Sequence, residues 1–260
     1  MIAPAGLLTH VGSLPRPADL IALYREAALA GRKVAEAMRE EYRAIIDAGF
    51  CLQLDDPILV NQYEMYHSMS GDLAGFRKWA EAHIELVNHG LQGIPQDRVR
   101  HHVCWWSWKG PHSTDLPLKS VLDLILQVNA GQYSVESANP QHEHEWQDWP
   151  GVKLPAGKAV LPGVVTHKTN VLEHPQVVAD RIIRYAGAVG RENVIASTDC
   201  GMGGRIHPSL AWAKLSARRR CRAGQRAALG AAHPVRPLHG STSRSRYSAP
   251  LAARLLDPRR

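Results

Sequence analysis

His102, Cys104, Glu136 and Cys200 are all metal-ligand residue types. Each sits at or near the end of a short apolar run that reads as a β-strand. His102 and Cys104 stand two apart in Arg100-His-His-Val-Cys-Trp-Trp106. Alternate side chains of a strand share a face, so these two point the same way. An imidazole beside a thiolate is half of a zinc site. A second thiolate and a carboxylate would complete a tetrahedral set. Taken singly, Cys104 reads as a buried apolar residue and His102 as a satisfied core histidine. The four together, with their surroundings, favour metal chemistry.

Composition bounds the rest. A chain of 260 residues suits one large α/β domain or two small ones, and at 45% hydrophobic it can bury a sizeable core. No apolar run reaches the ~18 residues of a transmembrane helix. Met1 to Leu8 lacks a basic region followed by a long apolar stretch, so no secretory signal is expected. The four cysteines are too widely spaced for a disulfide framework. A reducing cytoplasm is the expected location, and it would leave Cys104 and Cys200 free to ligate. The net charge of +7 is unevenly spread: residues 216–260 hold eleven arginines, no lysine and one acid, Asp257, for a net +10 that leaves −3 on residues 1–215. Only Tyr247 interrupts this tail as an aromatic, and no nucleic-acid motif accompanies it. An out-of-frame reading of GC-rich DNA gives such a composition. The sequence therefore predicts a domain over 1–215 and a frameshifted or disordered Arg-rich tail over 216–260, with neither nucleic acid nor membrane as partner and a monomer by default.

The elements that must carry these residues alternate. Strands are predicted at Gly6–Val11, Phe50–Leu54, Val99–Trp105, Gln132–Glu136, Ala159–Val165 and Asn193–Ser197. Helices are predicted from Asp19 to Gly31, Ala35 to Ala48, Leu73 to Asn88, Leu118 to Asn129, Pro175 to Val189, and from near His207. Strands separated by helices imply parallel βαβ units, and ligand types at several strand ends imply a TIM-type (β/α)8 barrel. A doubly wound sheet is the alternative, but no Gly-rich phosphate loop follows the first strand. Six of eight strands are recognisable, so the barrel reads as incomplete. The break lies between residues 20 and 48, where two helices follow one another without a strand.

Ordered segments carry a resemblance. They are Thr9-His-Val-Gly-Ser-Leu-Pro-Arg-Pro17, Leu52-Gln-Leu-Asp-Asp-Pro57, His102-Val-Cys104, Tyr133 to Trp146, Leu161 to Asn170, Thr198 to Gly204 and His207 to Leu215. Together they resemble the C-terminal catalytic domain of cobalamin-independent methionine synthase and its stand-alone relatives, over most of residues 7–215. The resemblance implies a zinc barrel that methylates a thiol, with homocysteine as the default acceptor. It puts the zinc ligands at His102, Cys104, Glu136 and Cys200. Thiol-substrate contacts fall on the Val11-Gly12-Ser13 turn, with Gly12 and Ser13, and on Asp55, whose carboxylate would hold an ammonium. The proton-donating histidine corresponds to His167. The implied methyl donor is 5-methyltetrahydrofolate, with a corrinoid protein or other carrier leaving the same zinc set unchanged.

The chemistry follows from the residue types. A free thiol is mostly protonated at neutral pH, and zinc binding strips that proton and fixes the sulfur as a nucleophile. Glu136, the hardest ligand of the four, is the one to be displaced when substrate sulfur arrives. His167 supplies the proton that a poor leaving nitrogen needs. His142 and His144 look like extra ligands but read better as part of a solvated loop. Trp105, Trp106 and Trp108 suit either stacking on a flat ring or core packing. Cys51 and Cys221 take no role.

Two departures from the family stand out. Relatives carry two further βα units between the first strand and the Asp55 strand, including an acidic residue that contacts substrate. Relatives also extend the last helix as an amphipathic one, where this chain has Ser216-Ala-Arg-Arg-Arg220. Three functions remain in play: methyl transfer to a homocysteine-like thiol, zinc-dependent alkyl transfer with another thiol of the coenzyme M type, and a decayed member that only binds zinc.

Overall fold

The computed structural model describes residues 31–69, 73–107 and 112–217. The predicted first strand, the Asp19 helix, Gly12, Ser13, Trp108 and the tail from 218 onward lie outside the described residues. Within them, helix α1 (Gly31–Asp47) leads into strand β1 (Leu52–Asp56), followed by α2 (Ile58–Met69), α3 (Leu73–Gly90) and β2 (Val99–Val103). A one-turn helix α4 (Leu122–Ile125) precedes β3 (Gln132–Val135). Then come β4 (Ala159–Val165), α5 (Pro175–Val189) and β5 (Ser197–Thr198), and residues 208–217 are helical. No helix among the described residues is long and apolar enough to cross a membrane.

All five strands are parallel and lie side by side in chain order, β1-β2-β3-β4-β5. A doubly wound sheet reverses its order partway, whereas a barrel adds each strand next to the last. The sheet is therefore an arc of the barrel type, with β1 and β5 outermost among the described residues.

Period-two alternation splits the strands into two faces. On one face, Leu52, Val99, Val103, Tyr133 and Val135 are buried in a core with Leu59, Phe76, Ile84, Leu124 and Tyr185. The other face is polar and layered. Register aligns Gln53 with Arg100 and Arg100 with Gln132. Arg100 donates to Gln132 Oε1 at 2.8 Å and to Gln53 Oε1 at 3.2 Å, which satisfies buried groups that would otherwise be costly. The next layer aligns Asp55, His102 and Ser134. Cys104 and Glu136 come two residues further on. The layering is what brings ligand types to one end of the sheet.

Several boundaries differ from the sequence expectation. Gly31 is helical and does not end a helix. β1 sits two residues later than predicted and includes Asp55 and Asp56. Helix α2 was not expected. The predicted helix over Leu118–Asn129 is a 3-10 turn at Leu118–Ser120 plus α4, because Val121 leaves helical geometry at φ −136°, ψ −1°. The last strand is Ser197–Thr198, with Val194 making a single bridge to Val160. β4 and α5 have the predicted bounds.

Candidate metal centre

His102, Cys104 and Cys200 offer ligand atoms that all lie within 4.8 Å of one another, and all three residues are buried. The sulfurs of Cys104 and Cys200 are 3.5 Å apart, far beyond the ~2.05 Å of a disulfide. Two sulfurs bound tetrahedrally at ~2.3 Å to one zinc would stand about 3.8 Å apart. His102 Nδ1 is 3.0 Å from Ser134 Oγ, while its buried Nε2 has no hydrogen-bond partner. A hydrogen bond at one ring nitrogen, leaving the other bare toward thiolates, is the usual arrangement of a ligating histidine. The residues present thus fit a soft or borderline metal.

Electrostatics point the same way. The two thiols share a hydrogen bond, which holds the Cys104 proton on far above the usual thiol range, with burial adding to it. The same bond pulls Cys200 down to about 3, helped by His102. Burial presses His102 toward neutrality, but the Cys200 sulfur and the Asp55 and Glu136 charges outweigh it and the net shift is upward. A divalent cation would replace that shared proton and ionise both sulfurs.

Glu136 stands at the edge of this trio. Its Oε1 accepts from Trp105 N–H at 3.0 Å, and its Oε2 from Asn139 Nδ2 at 2.5 Å. Burial, then the charges of Asp199 and Cys200, raise it to about 7. Asp55 lies across from His102 with Oδ1 3.9 Å from Nε2, and its side chain is 36% exposed. His167 is 1% exposed, and neither of its ring nitrogens has a hydrogen-bond partner. Burial lowers it to about 4, so it is a neutral imidazole at pH 7. Every one of these residues is at, or within two residues beyond, the C-terminal end of its strand, the end that carries barrel active sites.

Neighbouring elements lock the strand ends together. Asp199, just before Cys200, accepts from Ser137 N–H at 2.7 Å and Ala138 N–H at 2.8 Å, tying β5 to β3. Lys214, fully buried on the last helix, pairs with Glu173 Oε2 at 2.8 Å, and Glu173 Oε1 accepts from Thr166 N–H at 2.8 Å. That chain fixes the backbone beside His167. Asp56 points to the opposite face, where Oδ2 meets His83 at 2.9 Å and His101 at 3.2 Å.

Sequence reasoning missed several contributors. Ser107 Oγ lies 3.1 Å from Cys200 Sγ and 3.6 Å from Cys104 Sγ. Ser134, two residues before Glu136, could have been found from strand period alone. His142 does not belong to a solvated loop: it is 3% exposed, with Nδ1 2.9 Å from Glu145 and Nε2 3.2 Å from Asp115. His144 is exposed, as expected. Trp105 is core, donating to Leu116 O at 2.7 Å, and Trp106 is 47% exposed.

No protein-family model matches the chain. Among curated proteins it is 24% identical over 155 residues to the 2-hydroxypropyl-CoM lyase of Xanthobacter autotrophicus, covering 49% of this chain and 40% of that one. Among solved structures it is similar to a B12-independent methionine synthase from a Shewanella species, in complex with selenomethionine. The TM-score is 0.58 at 20% identity, over 76% of this chain and 55% of that one. A Listeria monocytogenes protein assigned as a vitamin-B12-independent methionine synthase gives 0.52 at 20% identity, over 78% and 57%. The structural likeness is one of fold. The resemblance read from the motifs is met by both comparisons, whose proteins are of one family. The chain spans about half the length of these relatives.

Proposed function

We propose that this chain is a zinc-dependent transferase that moves a methyl or other small alkyl group onto a small thiol. Its default reaction is methyl transfer from 5-methyltetrahydrofolate to a homocysteine-like acceptor, giving methionine. The carrying observation is the bare Nε2 of His102 facing two buried sulfurs at the strand ends. His102, Cys104 and Cys200 would hold the zinc, with Glu136 as fourth ligand. Bound there, zinc supplies a low-pKa setting for the acceptor thiol and keeps its sulfur nucleophilic.

The chain's own residues do the rest. Asp55 is placed to hold an acceptor ammonium beside His102. Glu136 already accepts from Trp105 N–H and Asn139 Nδ2, so it can rest on those donors when substrate sulfur enters. His167, neutral and without a partner among the described residues, can take the proton that the thiol gives up. It can return that proton to the leaving nitrogen as the carbon–nitrogen bond breaks and the carbon–sulfur bond forms. Buried walls keep water from competing. The site would work from an incomplete barrel over residues 1–215, with 216–260 as an appended tail.

The coenzyme M reading has its own support, the sequence relative from Xanthobacter. Zinc-loaded protein incubated with 5-methyltetrahydrofolate and homocysteine should form methionine detectable by mass spectrometry. Alkylation of 2-mercaptoethanesulfonate in its place would select the second reading. Zinc binding with no thiol alkylated by either donor class would leave only a metal-binding relic.

A further inference from the structure

We infer that Arg205 is the anion-reading residue of this site: its guanidinium binds the carboxylate or sulfonate at the far end of the thiol acceptor. The inference rests on the reading that a small thiol enters the cluster. Arg205 follows Cys200 by five residues, and its side chain reaches the Ser107 loop. Its Nη1 donates to Ser107 O at 2.7 Å, and the Ser107 hydroxyl touches both cluster sulfurs, at 3.1 and 3.6 Å. The guanidinium is thus anchored one residue away from the metal ligands.

The anchor uses little of the group. A guanidinium carries five N–H donors in a planar fork that suits carboxylate and other oxyanions. The bond to Ser107 O is the one hydrogen bond of the Arg205 side chain among the described residues, and the residue is exposed. Lys168 is the other cation at this rim, but its ammonium is occupied by Trp106 O at 2.8 Å and His112 Nε2 at 3.0 Å. Arg205 is therefore the cation with donors to spare. Its charge acts on both Asp55 and His167.

The placement also has a direction. Asp55 lies near the end of β1 and Arg205 follows β5, the outer strands of the five among the described residues. An acceptor with an ammonium and a carboxylate would meet an opposite charge on each side. An acceptor with a sulfonate alone would rely on Arg205.

Calorimetric titration of the zinc-loaded full chain separates these cases. The probes are homocysteine, 2-mercaptoethanesulfonate, cysteamine, which has only an ammonium, and 2-mercaptoethanol, which has no charge. Arg205→Met should weaken the anion-bearing thiol about tenfold or more, and leave cysteamine and 2-mercaptoethanol within about twofold. Arg205→Lys should recover part of the loss. Whichever anion-bearing thiol suffers identifies carboxylate or sulfonate. An equal loss for all four thiols, loss of zinc from the variant, or no loss at all would overturn the assignment and leave Arg205 as a brace for the Ser107 loop. If wild type binds none of the four, the thiol-transfer reading itself fails.

Discussion

Ser134 decides which nitrogen of His102 faces the sulfurs. Its hydroxyl holds Nδ1 at 3.0 Å, so Nε2 is presented to Cys104 and Cys200. Outer partners of this kind typically contribute ten- to a hundredfold in metal affinity. Ser134→Ala should therefore weaken zinc binding by about that factor in competition with a chelator, with little change in fold. Unchanged affinity would show that packing alone orients the ring. At this scale the sequence was informative where strand periodicity applies. His102 and Cys104, two apart, were legible as a same-face pair, and the structure brings them beside Cys200. Ser107 was not, because Trp106 before it takes φ 51°, and Arg205 was not, because its bond to Ser107 O joins loops 98 residues apart; residue types report neither.

β4 and the residue following β5 approach closely at Gly163. A Cβ built on Gly163 would lie 2.0 Å from Asp199 Oδ1 and 2.6 Å from Asp199 Cα. Backbone on that side cannot yield as a flexible side chain would. Gly163→Ala should destabilise the protein by ~3 kcal/mol or more in urea melts, and lower zinc affinity because Cys200 follows Asp199. A change within ~0.5 kcal/mol would mean that β5 is free to move aside.

A second inter-element tie is pH-sensitive. Burial opposes charge on His142, but its hydrogen bonds to Asp115 and Glu145, which accept from the charged ring, outweigh it and raise its pKa to about 9. The folded state therefore holds this proton more tightly than the unfolded chain, whose histidine titrates near 6.5. The stabilisation is full below that pH and is lost as pH rises through about 9. It amounts to something on the order of 3 kcal/mol. Unfolding free energy should fall between pH 6.5 and 9.5, and fall less in His142→Gln. The same slope in both proteins would remove the tie from the account. The sequence placed β4 correctly because it is a short, nearly continuous apolar run, and α5 because it has helical periodicity between Pro175 and Gly190. It missed α2, whose apolar residues surround the helix without forming a stripe. It overextended the 118–129 helix, where Val121, Leu122, Leu124, Ile125 and Val128 are all buried and tertiary packing overrides local preference.

At the scale of the molecule, a barrel arc must bring together residues far apart in the chain. Cys104 and Cys200 are 96 positions apart, on strands separated by two others in the sheet. Zinc binding is therefore a report on assembly as well as on ligand identity. Fold class was legible because strands and helices alternate, and because ligand types recur at strand ends. The uneven charge, +10 over residues 216–260 of a chain at +7, was legible from composition alone. Metal content of the purified full chain, set beside the Cys104→Ala/Cys200→Ala double variant, tests the central claim most directly. The account predicts about one zinc per chain in the wild type and none in the variant. Equal zinc in both would contradict it.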